Sequence, residues 1–333
     1  MTPQRQYGRM QMLSTPWSHG MGLEVPIVNA PMGGAAGGAL AAAVSRAGGL
    51  GMIGIGSSGS AALLEDELTL VSDGGRPFGI GLVHWRIAME PELLTTALRA
   101  NPTLLSVSFG DEWSWVQRAH DAGVSTATQV GDLEAARRAV DAGVDVVIAR
   151  GAEGGGHGEP TVGTLPLLSA VLDHVAVPVL AAGGISSGRG LAAVLAAGAS
   201  GAWLGTAFCA CTEALTPAVT RRALLAADET STVTTRVFDI AQGFRWPAHL
   251  PERTLRNAFV DRWDGRENEL VHDHSAQEQL TAAITARDHS LAPVNAGQGV
   301  RALTDEQPAA VVIDRFVDQA AELLGHWGDR SAD

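Results

Sequence analysis

The chain has 333 residues, 46% of them hydrophobic and 18% charged, with 40 glycines. That is enough apolar side chain for a substantial core, and it excludes intrinsic disorder, which needs low hydrophobicity and high charge. A net charge of −13, from 36 acids against 23 bases, argues against nucleic acid or an anionic membrane as the main partner, because such surfaces need clustered Lys and Arg. Small anions held by backbone N–H groups stay open. The length suits two domains or one large barrel.

The first residues, 1–17, carry Arg5 and Arg9 but no apolar core of signal-peptide length. No uninterrupted apolar run reaches the roughly 18 residues of a membrane span. Short apolar runs bounded by Gly, Pro or Asp then recur at 26–30, 49–54, 78–83, 104–109, 124–130, 144–149, 178–182 and 201–204. They read as strands buried on both faces. Between them lie helix-forming stretches such as 132–142 and 188–197, many ending in Ala-Gly, with the glycine placed to relieve a left-handed cap. Eight such units predict a (β/α)₈ TIM barrel over residues 1–216; a doubly wound sheet seldom sustains eight unbroken alternations. After Thr206 the rhythm breaks. Residues 217–290 show helical periodicity without strand runs and predict a helical subdomain beside the barrel mouth, on the substrate side. Residues 291–333 predict a closing helix, with 299–324 helical and Asp305 and Pro308 at its start.

Motifs fall mostly at the strand ends. Ala30-Pro-Met-Gly-Gly34 follows the first run, where glycines let backbone approach something flat. Gly54-Ile-Gly-Ser-Ser-Gly59 is a literal G-x-G-x-x-G, but it follows the second strand, and the acid at the expected offset, Asp73, sits in a Gly-rich turn. A dinucleotide fold is therefore disfavoured. Gly151-Ala-Glu-Gly-Gly-Gly-His-Gly158 ends the sixth run, and its glycines read as a flexible loop that wraps a ligand and carries His157 as acid, base or anion donor. Ala182-Gly-Gly-Ile185 and Gly205-Thr206 follow strands seven and eight, the loops where barrels often hold phosphate. His84 is a second candidate at the mouth, whereas His120, His174 and His326 read as surface residues. His272 and His274 flank Asp273 at a spacing that separates them on a helix, so no metal is expected. Cys209 and Cys211 cannot staple the fold or complete a zinc site, which suits a reducing, cytoplasmic compartment.

Together these stretches resemble the nitronate monooxygenase family, formerly called 2-nitropropane dioxygenases: FMN-dependent barrels with a helical side domain, in a wider group with a flavin-dependent enoyl-ACP reductase and NADH:quinone reductases. The resemblance rests on Ala30-Pro-Met-Gly-Gly34 with 40–54, on 151–157 and 178–208, and on Thr235-Arg-Val-Phe-Asp239, Arg256-Asn257 and Asn295-Ala-Gly-Gln298. It implies FMN as cofactor. Ala30, Pro31 and Met32 would lie against the flavin ring and Gln129 near its N1–C2=O edge. Gly155 and Gly156 would pass under the flavin or its ribityl chain, and Gly183, Gly184, Gly205 and Thr206 would take the phosphate. His157 matches the family's active-site histidine. Two departures stand out. Gly81 occupies a strand-three position where the family often has Asn, and the family's Glu-Ala-Gly-Gly-His reads Glu153-Gly-Gly-Gly-His157, a looser loop.

The implied activity is oxidation of alkyl nitronates, and of nitroalkanes after proton removal, with O₂ to a carbonyl compound and nitrite. The alternatives are an NAD(P)H-dependent quinone or enoyl-thioester reductase in the same fold, and a flavin-free phosphate-binding barrel. The expected partners are a small molecule and O₂; a homo-oligomer is left open.

Overall fold

The computed structural model describes residues 13–71 and 75–328; Arg5, Arg9 and Asp73 lie outside them. The strands are β1 (Ile27–Asn29), β2 (Gly51–Ile55), β3 (Phe78–Val83), β4 (Leu104–Ser108), β5 (Ser125–Val130), β6 (Val146–Arg150), β7 (Gly156–His157), β8 (Val179–Ala182), β9 (Gly201–Leu204), β10 (Thr232–Thr235) and β11 (Glu252–Leu255). All of these except β7, β10 and β11 form one parallel sheet in the order β1-β9-β8-β6-β5-β4-β3-β2. A bridge from Val28 to Leu50 joins β1 back to β2 and closes the ring into a (β/α)₈ barrel.

That seam is thin in backbone bonds and is reinforced by one side chain. Asn29, fully buried, accepts from the Met52 N–H at 2.8 Å and donates to the Met52 carbonyl at 2.9 Å. Its amide thereby mimics a peptide unit between β1 and β2, satisfying groups that burial would otherwise leave unpaired.

The strands read as apolar runs because both faces are covered. One cluster fills the barrel interior with Val28, Met52, Leu104, Ile148, Leu180 and Trp203. A larger one, including Ile53, Ile80, Val107, Val147 and Ala181, packs under the surrounding helices. The Ala-Gly helix ends behave as their chemistry requires. Gly48, Gly123, Gly143 and Gly198 have φ of +89°, +72°, +89° and +103°, the conformation that ends a helix at least cost in glycine. Asp132 and Ser187 cap the helices Leu133–Asp141 and Gly188–Ala196 with their side chains.

Two expectations are corrected. The segment 217–290 is not wholly helical. It contributes β10 and β11, which pair antiparallel with each other, and β11 pairs antiparallel with β7. The strands are short, and Thr232–Thr235 is partly exposed, so no apolar run marks them. Their helices carry a core of their own around Phe238, Phe259, Val260, Trp263 and Leu280. The C-terminal stretch is also interrupted. A 3₁₀ turn, Gln298–Ala302, precedes the helix Ala309–Gly328, which packs on Gly188–Ala196. Among the described residues no helix is long and apolar enough to cross a membrane.

Candidate active site

The loop after β1 is laid down by glycines beneath it. A Cβ at Gly54 would collide with the main chain of Pro31 and Met32, and one at Gly81 with the Pro31 ring. In this chain the Pro31 ring lies where a side chain at position 81 would stand. The G-x-G-x-x-G segment serves the same loop, since a Cβ on Gly33 would lie 2.6 Å from the Gly56 Cα. Its glycines permit close packing between two barrel loops.

The glycine run after β6 is anchored from beneath by the side chain that ends the strand. Arg150, buried at the end of β6, donates through one guanidinium nitrogen to the carbonyls of Gly154, Gly155 and Gly156 at 2.6, 3.2 and 2.9 Å. Burial, with Arg253 nearby, pulls this guanidinium down to about 10, so it remains a cation near neutral pH. The Glu153 carboxylate accepts from the Thr164 N–H at 2.9 Å and from its hydroxyl at 2.9 Å. A Cβ on Gly155 would meet Ala296 and Gly297 at 2.6 Å, so this glycine admits a neighbouring stretch of the chain itself. Gly156 has φ +68°.

His157 follows as the second residue of β7, opposite Glu252 in the ladder. Its Nε2 lies 2.9 Å from Asp239 Oδ2 and 3.1 Å from Oδ1. Its ring stacks on Trp246, with centroids 3.5 Å apart and planes 6° from parallel. The Gln129 amide donates to the His157 carbonyl at 3.3 Å. The imidazole is therefore fixed on one edge and one face. With Nε2 engaged by a carboxylate, Nδ1 is the ring's remaining basic atom. Trp246 is itself anchored: its indole N–H donates to Ser57 Oγ at 3.2 Å, and its ring meets Phe109 edge-on at 4.9 Å. Phe109 has φ +73°, a strained conformation for a bulky residue and of the kind that gathers at functional sites.

Asp239 and Glu252 are both buried. Burial, and then the Asp239 charge, push the Glu252 carboxyl up to about 8. His157, Asp239 and Glu252 each offer a ligand atom within 4.8 Å of the others, an arrangement that the sequence reading, which expected no metal, did not foresee.

These groups border one cavity of about 620 Å³ at the carboxyl end of the barrel. Ala30, Pro31, Met32, Gln129, Gly155, Gly156, His157, Gly183, Gly184, Gly205 and Thr206 all line it. So do five residues that sequence reasoning did not assign: Phe109, Arg150, Asp239, Trp246 and Glu252. Asp239 lay within a stretch quoted for the resemblance, and that was the available signal. His84 does not border the cavity; it stands 3.6 Å from Glu112. His272 and His274 are exposed and away from it. Cys209 lines the cavity beside Met32, but burial pushes its thiol, like that of Cys211, up to about 12, so neither is a ready thiolate.

A family model described as nitronate monooxygenase matches residues 15–92 and 83–319. The chain belongs to the nitronate monooxygenase family. It is an enzyme, a flavin-dependent oxidoreductase of that family. It is 28% identical over 359 residues to a probable nitronate monooxygenase of Staphylococcus aureus, covering 91% of this chain and 96% of that one. It is 35% identical over 261 residues to a (3aS,4S,5R,7aS)-5-hydroxy-7a-methyl-1-oxo-octahydro-1H-indene-4-carboxyl-CoA dehydrogenase of Mycobacterium tuberculosis, covering 75% of this chain and 68% of that protein. Among solved structures, FabK from Thermotoga maritima matches with a TM-score of 0.83 and 28% identity over 96% of this chain and 99% of that one. A nitroalkane oxidase from Streptomyces ansochromogenes matches at 0.79 and 31% over 92% and 98%.

The cavity suits a flavin by its donor set. Its wall is mostly backbone and apolar side chain, and the Arg150 fork is taken up by carbonyls. A phosphate there would meet main-chain N–H groups near the start of the helix Gly188–Ala196, where the macrodipole favours an anion.

Proposed function

We propose that the chain binds FMN and oxidises alkyl nitronates, and nitroalkanes after proton removal, with O₂ to a carbonyl compound and nitrite. The observation that carries this reading is the His157–Asp239 pair at the edge of the cavity. When bound, the flavin supplies the redox chemistry, with O₂ as final electron acceptor. Ala30, Pro31 and Met32 would line the ring, Gln129 its polar edge, and Gly155 and Gly156 the ribityl side. Gly183, Gly184, Gly205 and Thr206 would hold the phosphate through backbone groups and a hydroxyl.

Asp239 holds the proton of His157 on Nε2 and leaves Nδ1 to accept one from the carbon of a neutral nitroalkane. Once protonated, the same ring makes a charge-assisted hydrogen bond to a nitronate oxygen. Trp246 keeps the imidazole from rotating and shields one face from water.

A second reading, a flavin-dependent oxidoreductase of acyl thioesters, is favoured by the likeness to the carboxyl-CoA dehydrogenase. The test is the visible spectrum of the purified protein, identification of the released cofactor, and aerobic turnover of propionate 3-nitronate. Yellow protein that releases FMN and forms nitrite is the expected result. Flavin-loaded protein that forms no nitrite but is bleached rapidly by NADPH without oxygen overturns the first reading for the second.

A further inference from the structure

We infer that the substrate side of the cavity selects nitronates with an uncharged, apolar tail over those whose tail carries a carboxylate, and that Trp246 is the residue that sets this preference. The preference presupposes the nitronate reading, which it narrows to one class of tail. Two observations carry it: an aromatic wall beside His157, and the absence of a free cation along the cavity among the described residues.

Phe109, Phe244 and Trp246 all border the cavity. Phe109 follows β4, whereas Phe244 and Trp246 lie between the helix Val237–Gln242 and β11. Trp246 joins the two regions. One face of its indole is stacked on the His157 ring. It meets Phe109 edge to face at 4.9 Å between centroids, and Trp85 at 5.7 Å. Its N–H is engaged by Ser57 Oγ. The Phe244 N–H donates to the Asp239 carbonyl at 3.0 Å, which ties that residue to the His157–Asp239 pair. His157 has Nε2 on Asp239 and one face on Trp246, so a group that approaches Nδ1 in the imidazole plane comes alongside the indole. The tail beyond it meets ring carbon, and an indole whose one donor is engaged offers a carboxylate no hydrogen bond.

The charges point the same way. The charged side chains bordering the cavity are Arg150, His157, Asp239 and Glu252. Arg150 is engaged by the carbonyls of Gly154, Gly155 and Gly156. His157 serves the nitro group itself. Arg245, beside Trp246, is exposed and does not border the cavity, and Arg253 is turned to the Ala152 carbonyl. The sequence contains no lysine, so no long, flexible ammonium group reaches in. A tail carboxylate would leave water for aromatic surface without a counter-ion, a cost that a neutral tail avoids. An alkyl tail instead gains by burying its own apolar surface.

The experiment compares isosteres on the flavin-loaded enzyme. Propionate 3-nitronate carries a carboxylate where the nitronate of 3-methyl-1-nitrobutane carries an isopropyl group. In the wild type, kcat/KM should favour the isopropyl compound by at least about tenfold, chiefly through KM. Along unbranched alkyl nitronates, kcat/KM should rise by up to about fourfold per methylene, the transfer value of one CH₂. Trp246→Ala should bring the ratio between the two isosteres close to one; any loss of His157 positioning falls on both and cancels in the ratio. Phe244→Lys, an independent change, should turn the preference toward propionate 3-nitronate by supplying a cation. Calorimetry reads the same ordering without turnover: 4-methylpentanoate should bind the wild type at least about tenfold more tightly than succinate. No wild-type preference for the isopropyl compound, a preference that survives intact in Trp246→Ala, or a ratio unmoved by Phe244→Lys each overturns the inference. An enzyme that oxidises neither nitronate overturns the proposed function instead, while the two carboxylates still decide the tail preference.

Discussion

Two regions build one cavity from different materials. The barrel offers backbone and small or apolar side chains: Ala30, Pro31, Gly54, Gly183, Gly184 and Gly205 stand at strand ends. The side unit offers ionisable and aromatic groups: Asp239, Trp246 and Glu252 reach the same space from beyond β9. His157 belongs to both, because it leaves β6 on the glycine loop and is then paired with β11. The division shows where binding and reactivity are separately adjustable. On the proposed function, a flat cofactor would be held by the barrel's main chain, and the proton-transfer groups would come from the glycine loop and the insert.

The sharpest way to break this division is His157→Ala. Loss of a general base costs about 10²- to 10⁴-fold. Nitrite formation should fall by that much, more for neutral nitroalkanes than for preformed nitronates, while the protein stays yellow. Loss of flavin instead would make His157 part of the holding structure. Asp239→Asn tests the side unit alone. A hydrogen bond to a charged group is worth about 1.5–3 kcal/mol, so kcat should fall by roughly 10- to 150-fold with flavin content unchanged. Equal losses in both variants and the double mutant would show the two acting as one unit.

On the barrel side, Asn29→Ala leaves the Met52 amide without its partners. It should cost about 1–3 kcal/mol in denaturant unfolding while kcat of the folded enzyme is kept. The effect smallest per step of the variable is in the pH dependence of stability. Glu252 in the folded state releases its proton near 8, against a reference of 4.5 for an exposed glutamate. Folding therefore takes up a proton between these values, and stability falls as pH rises from about 4.5 to about 8. The slope from this group is at most about 1.4 kcal/mol per pH unit. Glu252→Gln should flatten the curve in that window; an unaltered slope would assign the proton to another group.

The same division governs what could be read from the sequence. Barrel strands announce themselves because each is locally apolar and bounded by Gly or Pro, and cavity glycines follow directly at their ends. The Gly81 departure was visible, but its close contact with Pro31 was not, since the two are 50 residues apart in sequence. β10 and β11 escaped because their periodicity is spread over four residues each and their pairing is non-local. Glu252 carries no signal of burial in its own neighbourhood; Pro251 before it and Arg253 after it read as surface loop. Arg150 ended an apolar run and looked like a boundary, although its guanidinium turns inward onto the glycine carbonyls.

The two-rung ladder between β7 and β11 also bears on how this enzyme can change length over time. Glu252 pairs with His157 and Arg253 with Gly156, and neighbouring side chains on a strand point to opposite faces. A deletion between Asp239 and Glu252 that slips the register by a single residue brings Arg253 opposite His157, exchanging an acid for a permanent cation, and an insertion that slips it brings Pro251 there, which carries no ionisable group. Either slip turns the Glu252 side chain to the opposite face, whereas a slip of two residues keeps its facing but moves it off the His157 rung. The hypervariable spacing that loops ordinarily tolerate is therefore confined here to changes absorbed within the Gln242–Pro251 turn, before the chain reaches its rung.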